Sequence, residues 1–176
     1  MWWMFGLVSA LAADSTGAVE PHVLVEGDGT VVTTLVLQAS ESAVRAAIGD
    51  GVGASRLSPD VLSVSSTPSG RCQELTKETR GMFRPFRMKS VWCASAAGWT
   101  EELVTSEDFT SFHAEWTIAP TGSSSGVADA ATRVTYRVRT DLAISVPDAM
   151  LQRSVAQASG TMLERLAARV LRGAAR

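Results

Sequence analysis

The chain predicts an α+β fold: a curved antiparallel sheet wrapped around one long C-terminal helix, with short helices after the first strand. Three observations lead there. Between residues 61 and 144 the chain is a succession of alternating apolar and polar segments separated by turn residues. A continuous apolar stripe at helical spacing then runs through about 147–171 and closes the chain. Ahead of the strands, a short amphipathic helical signal occupies 41–48. A curved sheet with one helix laid across it encloses space, which suits holding an apolar molecule better than transforming one.

Composition narrows the functional classes. The chain has 176 residues, 45% of them hydrophobic, so one domain with a substantial core is the natural count. Sixteen Lys and Arg against 18 Asp and Glu leave a net charge of -2, with no global attraction to nucleic acid. Two histidines and two cysteines are too few for a Cys/His metal site, and no phosphate-cradling loop is present. No metal, nucleotide or covalent cofactor is expected.

Residues 1–12, MWWMFGLVSALA, carry no charged side chain, and Ala10-Leu11-Ala12 fits the small-x-small pattern of a secretory cleavage site. The expectation is a signal peptide over 1–12, a flexible leader over 13–21, a single domain over 22–173, a tail over 174–176, and a periplasmic or secreted location. A buried N-terminal segment, a surface anchor and a cytoplasmic chain are the other readings. The stretch is shorter than the roughly 20 residues that span a bilayer.

The elements follow in order. Residues 23–39 read as a strand pair or one bent strand around Gly27-Asp28-Gly29, with β-branched residues crowding the second part. Ser40 is an N-cap candidate for the helix at 41–48, in which Val44, Ala47 and Ile48 share a face, and Gly49, Gly51 and Gly53 end it. A strand at 61–65 is closed by Thr67-Pro68-Ser69-Gly70. A long hairpin rises over 71–80, turns over 81–86 and returns over 87–96, followed by strands at 99–106 and 109–119, a Gly/Ser loop at 121–130 and a strand at 132–144. The closing helix starts with Ser145 and Asp148 in capping-box spacing and Pro147 in its first turn. Its stripe is Met150, Leu151, Val155, Ala158, Met162, Leu163, Leu166, Val170 and Leu171, with Arg153, Arg165 and Arg169 mostly opposite. Gly160 either admits a close neighbour or is simply tolerated.

Order and local pattern together resemble the START-like (SRPBCC) superfamily, the helix-grip group of polyketide cyclases and lipid-transport proteins. The Gly/Ser loop followed by 131–138, ATRVTYRV, looks like that family's GTRVTY strand. Residues 111–120, SFHAEWTIAP, resemble its G-x-W-x-x-x-P strand; 32–50 resembles its opening strand and helix, and the Pro147 helix its closing one. The resemblance covers roughly 31–172. It departs where Gly is absent before Thr132 and where Arg45 replaces a frequent aromatic. The resemblance implies an internal tunnel for lipids, sterols, polyketides or similar compounds. Met88, Trp92, Trp116, Val134, Tyr136, Val138, Leu151, Val155 and Met162 are the expected ligand-binding residues. An ordinary packed core is the alternative for each.

Four further features carry chemistry. A hairpin centred between residues 82 and 83 pairs Cys72 with Cys93, as a cross-strand disulfide or as two buried thiols. Lys77, Arg80, Arg84, Arg87 and Lys89 cluster around the hairpin tip with Met82, Phe83 and Phe86, as a solvated tip or as a peripheral membrane contact. His113 and Glu115 share a strand face and read as a surface pair rather than an acid–base pair. Tyr136, the single tyrosine, can orient a ligand through its hydroxyl. The combined expectation is non-enzymatic binding or transport of an apolar, lipid-like molecule in an almost wholly apolar interior, with 49–53 and 121–130 as gates and no catalytic residue. A polyketide cyclase or aromatase on the same fold, or a protein-binding module, is the rival.

Overall fold

The computed structural model describes residues 20–81, 83–121 and 131–174. The expected export segment, most of the leader, Met82, the loop beyond Thr121 and residues 175–176 lie outside them. Eight strands form one antiparallel sheet: β1 (His22–Val25), β2 (Val31–Leu37), β3 (Val61–Ser69), β4 (Cys72–Thr79), β5 (Phe86–Ala94), β6 (Gly98–Ser106), β7 (Phe109–Pro120) and β8 (Thr132–Leu142). Helices α1 (Glu41–Ile48) and α2 (Gly51–Ser55) follow β2, and α3 (Asp148–Ala174) closes the chain. The spatial order is β1-β2-β8-β7-β6-β5-β4-β3, so the second strand of the chain lies beside the last.

The local reasons are visible in the sequence. Residues 23–39 are a strand pair, because Asp28 accepts from the Thr30 backbone N–H at 3.0 Å and Gly29 supplies a φ of +85°. That bond, with lesser help from Arg139, holds the Asp28 carboxyl below its ordinary range. Ser40 caps α1 by accepting from Ala43 N–H at 3.2 Å. The glycines after α1 do more than end it. Asp50 caps a second short helix, accepting from Gly53 N–H at 2.7 Å. β3 runs past the expected stop to Ser69; Pro68 is tolerated because β3 is an edge strand with no strand beyond it among the described residues. At the head of α3 the Pro147 carbonyl accepts from Met150 and Leu151. The helix therefore begins at Asp148, and Ser145 is not its cap.

The concave face of the sheet packs on α1, α2 and the C-terminal half of α3. Leu35, Val44, Ile48, Leu57, Leu75, Trp92, Trp116, Val134, Leu163, Leu166 and Val170 form the main core. Arg165 and Arg169, expected on the solvent side, reach across it: Arg169 donates to the carbonyls of Ala47 (3.0 Å) and Gly53 (3.4 Å), and Arg165 to that of Leu57 (3.4 Å). A cation at the end of α1 complements its dipole and ties α3 to both short helices. Thr33 on β2 meets Ser159 on α3 at 2.7 Å; Ser159 donates to the Ala156 carbonyl, so Thr33 is the donor to Ser159. Gly160 is an ordinary position, where a Cβ would meet Val23 at 3.8 Å. Among the described residues, no helix is long and apolar enough to cross a membrane.

Candidate functional site

The C-terminal half of α3 packs into the main core, and its N-terminal half touches the sheet through Val155 and Ala156, which pack with Val23, Val31, Ala114 and Val138. Beneath that half lies a cavity of about 380 Å³. This is at the small end of the range for organic ligands, and a water takes only about 30 Å³ of liquid volume. β5, β7 and β8 supply Phe86, Phe109, Phe112, Tyr136 and Val138, while the approach to α3 and its first turns supply Leu142, Val146, Met150, Leu151, Val155, Ala158, Ser159 and Met162. Phe86 and Phe109 meet edge to face with centroids 5.7 Å apart. Arg80, Met150 and Ser154 are its exposed members and place the opening between the start of the hairpin loop and the head of α3. Met150 is 51% exposed at this opening.

The expected lining divides in two. Tyr136, Val138, Leu151, Val155 and Met162 border the cavity. Met88, Trp92, Trp116 and Val134 do not. Trp92, Trp116 and Val134 are packed under α1 and the C-terminal half of α3, and Met88 is buried beside Lys77 on the neighbouring strand. Strand alternation sorts residues to the concave face, but where the helices fill that face is a tertiary matter. Arg45 does not form a cavity wall: it pairs with Glu41 at 2.7 Å and lies 5.3 Å from the Trp99 ring centroid. The 49–53 stretch, expected as a gate, is folded into α2, and Gly51 is packed so closely that a Cβ there would lie 2.9 Å from Trp92.

The interior is less apolar than expected. Lys77 is not part of an exposed basic cluster. It points inward from β4 and pairs with Glu101 of β6, each side chain being only 6% exposed. Ser90 of β5, fully buried, donates to the same carboxylate. The Lys77 ammonium lies 5.0 Å from the centroid of Phe112, a residue of the cavity wall, while Lys77 itself does not line the cavity. Two signals are in the sequence: Lys77 is in phase with Leu75, and Glu101 with Trp99 and Leu103. Three of the other hairpin cations are tied to carboxylates, Arg84 to Asp108 at 2.6 Å, Arg87 to Glu78 at 3.3 Å and Lys89 to Glu74 at 3.7 Å, while Arg80 is exposed at the opening. Asp108 also accepts from the Arg87 backbone N–H at 2.8 Å, which anchors the loop beside the opening.

Tyr136 stands where cavity and polar cluster meet. Its ring packs against Trp116 with centroids 4.8 Å apart. Burial, and then the charge of Glu101, push its phenol well above the ordinary range. His113 is exposed and meets Glu102 across the strand pair at 2.5 Å, with Glu115 as a partly buried neighbour on β7. Cys72 and Cys93 face each other in the β4–β5 register and are joined by a disulfide. A second hollow of about 270 Å³ on the other flank of α3 is lined by Asp28, Arg139, Asp141, Asp148 and Gln152 and suits water better than an apolar molecule. Among the described residues, no group of three or more His, Cys, Asp or Glu could hold a metal ion.

No family model and no curated protein matches the chain. Solved structures do. A START superfamily protein from Mycobacterium smegmatis superposes with a TM-score of 0.66 at 16% identity, over 81% of this chain and 97% of that one. TTHA0849 from Thermus thermophilus gives 0.65 at 18% identity, over 82% and 98%. The Zhui aromatase/cyclase from a Streptomyces species gives 0.58 at 14% identity, over 88% and 95%. At such identities the likeness speaks to architecture. With the sheet order, the short helices after the second strand and the closing helix, it establishes that the chain has the START-like, SRPBCC helix-grip fold.

Proposed function

We propose that the protein binds and carries a small, predominantly apolar, lipid-like molecule without transforming it. The observation that carries this reading is the aromatic- and aliphatic-walled cavity under the N-terminal half of α3. Removing an apolar ligand from water into it contributes roughly 25 cal/mol per Å² of apolar surface buried, less the ordering cost. Release follows from a small shift of the head of α3 or of the hairpin loop, since the sealed half of the helix need not move. The aromatase/cyclase reading asks for polar groups facing the cavity. The Lys77–Ser90–Glu101 cluster is satisfied within itself and none of the three lines the cavity.

We also propose export to the periplasm or cell exterior, which the Cys72–Cys93 disulfide and the 1–12 segment support. Contact with a membrane at the opening is part of the same reading. Phe83, 91% exposed at the hairpin tip, supports it. Native mass spectrometry of gently purified protein tests the main reading. The expected result is a lipid-sized adduct that is lost in Val155→Trp, which fills the cavity. A clean apo mass together with turnover of an added polyketide or ester overturns it. An intact Met1 on the mature chain overturns export.

A further inference from the structure

An apolar cavity with an uncommitted donor on its wall is a selective container. Three of the hydroxyl-bearing side chains on this wall are already engaged. Ser159 holds Thr33 and the Ala156 carbonyl, Thr140 Oγ1 donates to the Ser111 carbonyl at 3.2 Å, and Ser58 accepts from the Asp60 backbone N–H at 3.3 Å. The Tyr136 hydroxyl has no hydrogen-bond partner among the described residues. Yet no fully buried side-chain nitrogen or oxygen there is left without one. The hydroxyl is therefore not sealed into the protein, and the space it can reach is the cavity that its side chain borders.

We propose that the cavity takes a molecule bearing one uncharged oxygen acceptor, a ketone or ester carbonyl, and that Tyr136 reads that acceptor by donating a hydrogen bond to it. This rests on the proposed ligand-binding role and narrows its ligand class. The phenol stays protonated because burial and then the Glu101 charge oppose its ionisation, so it is a donor throughout the physiological range. The same two causes oppose an anionic atom at that position. A carboxylate ligand is therefore disfavoured where a carbonyl is favoured. A pure hydrocarbon fills the cavity but leaves the hydroxyl without a partner, which is unfavourable for a buried donor.

Equilibrium dialysis of the purified full chain against 2-acetylnaphthalene, 2-ethylnaphthalene and 2-naphthoate tests the proposal. The first two have nearly the same shape and differ in the acceptor; the third is an anion. The preference of the ketone over the hydrocarbon should fall about tenfold in Tyr136→Phe. Hydrocarbon affinity should change less than about twofold, which also reports an intact cavity. The naphthoate should bind most weakly. An unchanged preference in Tyr136→Phe overturns the proposal. So does a preference lost only in Arg80→Gln, since the acceptor then sits at the opening, and so does tighter binding of the naphthoate. Should Tyr136→Phe not fold, the infrared carbonyl stretch of 2-acetylnaphthalene bound to the unsubstituted chain decides. A red shift from its value in an aprotic solvent is expected, and no shift overturns the proposal. Binding of ketone and hydrocarbon alike removes this inference and leaves the carrier reading. Binding of none of the three removes both.

Discussion

Replacing Lys77 with methionine isolates the buried ion pair at little change in side-chain length. In the folded chain the Glu101 carboxylate is held by the Lys77 ammonium and the Ser90 hydroxyl, with both charged side chains 6% exposed. Lys77→Met leaves the carboxylate buried with Ser90 alone. Removing one partner of such a pair costs about 3–5 kcal/mol, because the surviving charge has neither water nor counter-ion. For a chain of this size each kcal/mol shifts Tm by about 2–4 °C, so a fall of roughly 6–20 °C is expected. Adding Glu101→Gln removes the stranded charge while keeping an acceptor for Ser90. The double variant should recover much of the loss, with a coupling energy of about 2 kcal/mol in the cycle. Urea denaturation followed by circular dichroism, with the disulfide intact throughout, gives all four values. A single-variant cost below about 1 kcal/mol with no measurable coupling would refute the reasoning, since that is the behaviour of a solvent-screened surface pair.

Three other outcomes are expected. The disulfide closes a loop with a sequence separation of 21, so Cys72→Ala with Cys93→Ala should lower stability by about 3 kcal/mol in the loop-entropy estimate, read as a lower urea midpoint. Gly98→Ala would set a Cβ 2.0 Å from the Trp116 carbonyl oxygen; backbone must move, and a loss of about 2 kcal/mol or more should appear in the same assay. Tyr136 is the single tyrosine, and its folded value is raised above the ordinary 10.0 by burial and then by Glu101. Its contribution to stability is therefore complete below pH 10.0 and is lost as pH rises beyond it. Ultraviolet titration should show no phenolate before the chain unfolds in alkali, and a reversible native titration near the ordinary value would contradict the buried placement.

The site was legible only in part, and the division has a physical basis. Tyr136, Val138, Leu151, Val155 and Met162 could be placed facing inward because period-2 alternation and a 3.6-residue stripe report which face a side chain takes. Met88, Trp92, Trp116 and Val134 obey the same periods, yet they lie where other elements fill the concave face. Lys77 sits among other charges along the chain, although its phase with Leu75 places it inside. A lysine is so seldom buried that the phase is believed only once a partner is known, and that partner lies 24 residues further on, at Glu101.

Strand order along the chain, the hairpin register that sets Cys72 opposite Cys93, the Ser40 cap and the stripe of the closing helix were determined by the sequence itself. Each depends on residues near one another in the chain, where backbone geometry transmits the pattern directly. What only the tertiary structure decided was how far that stripe is covered. Arg165 and Arg169 bind the carbonyls of residues more than 100 positions earlier and close one end of α3 over the core. The other end rests on the sheet through Val155 and Ala156 and leaves a cavity beside Tyr136. Such long-range contacts have no period to reveal them, and the cavity is the space they leave unfilled.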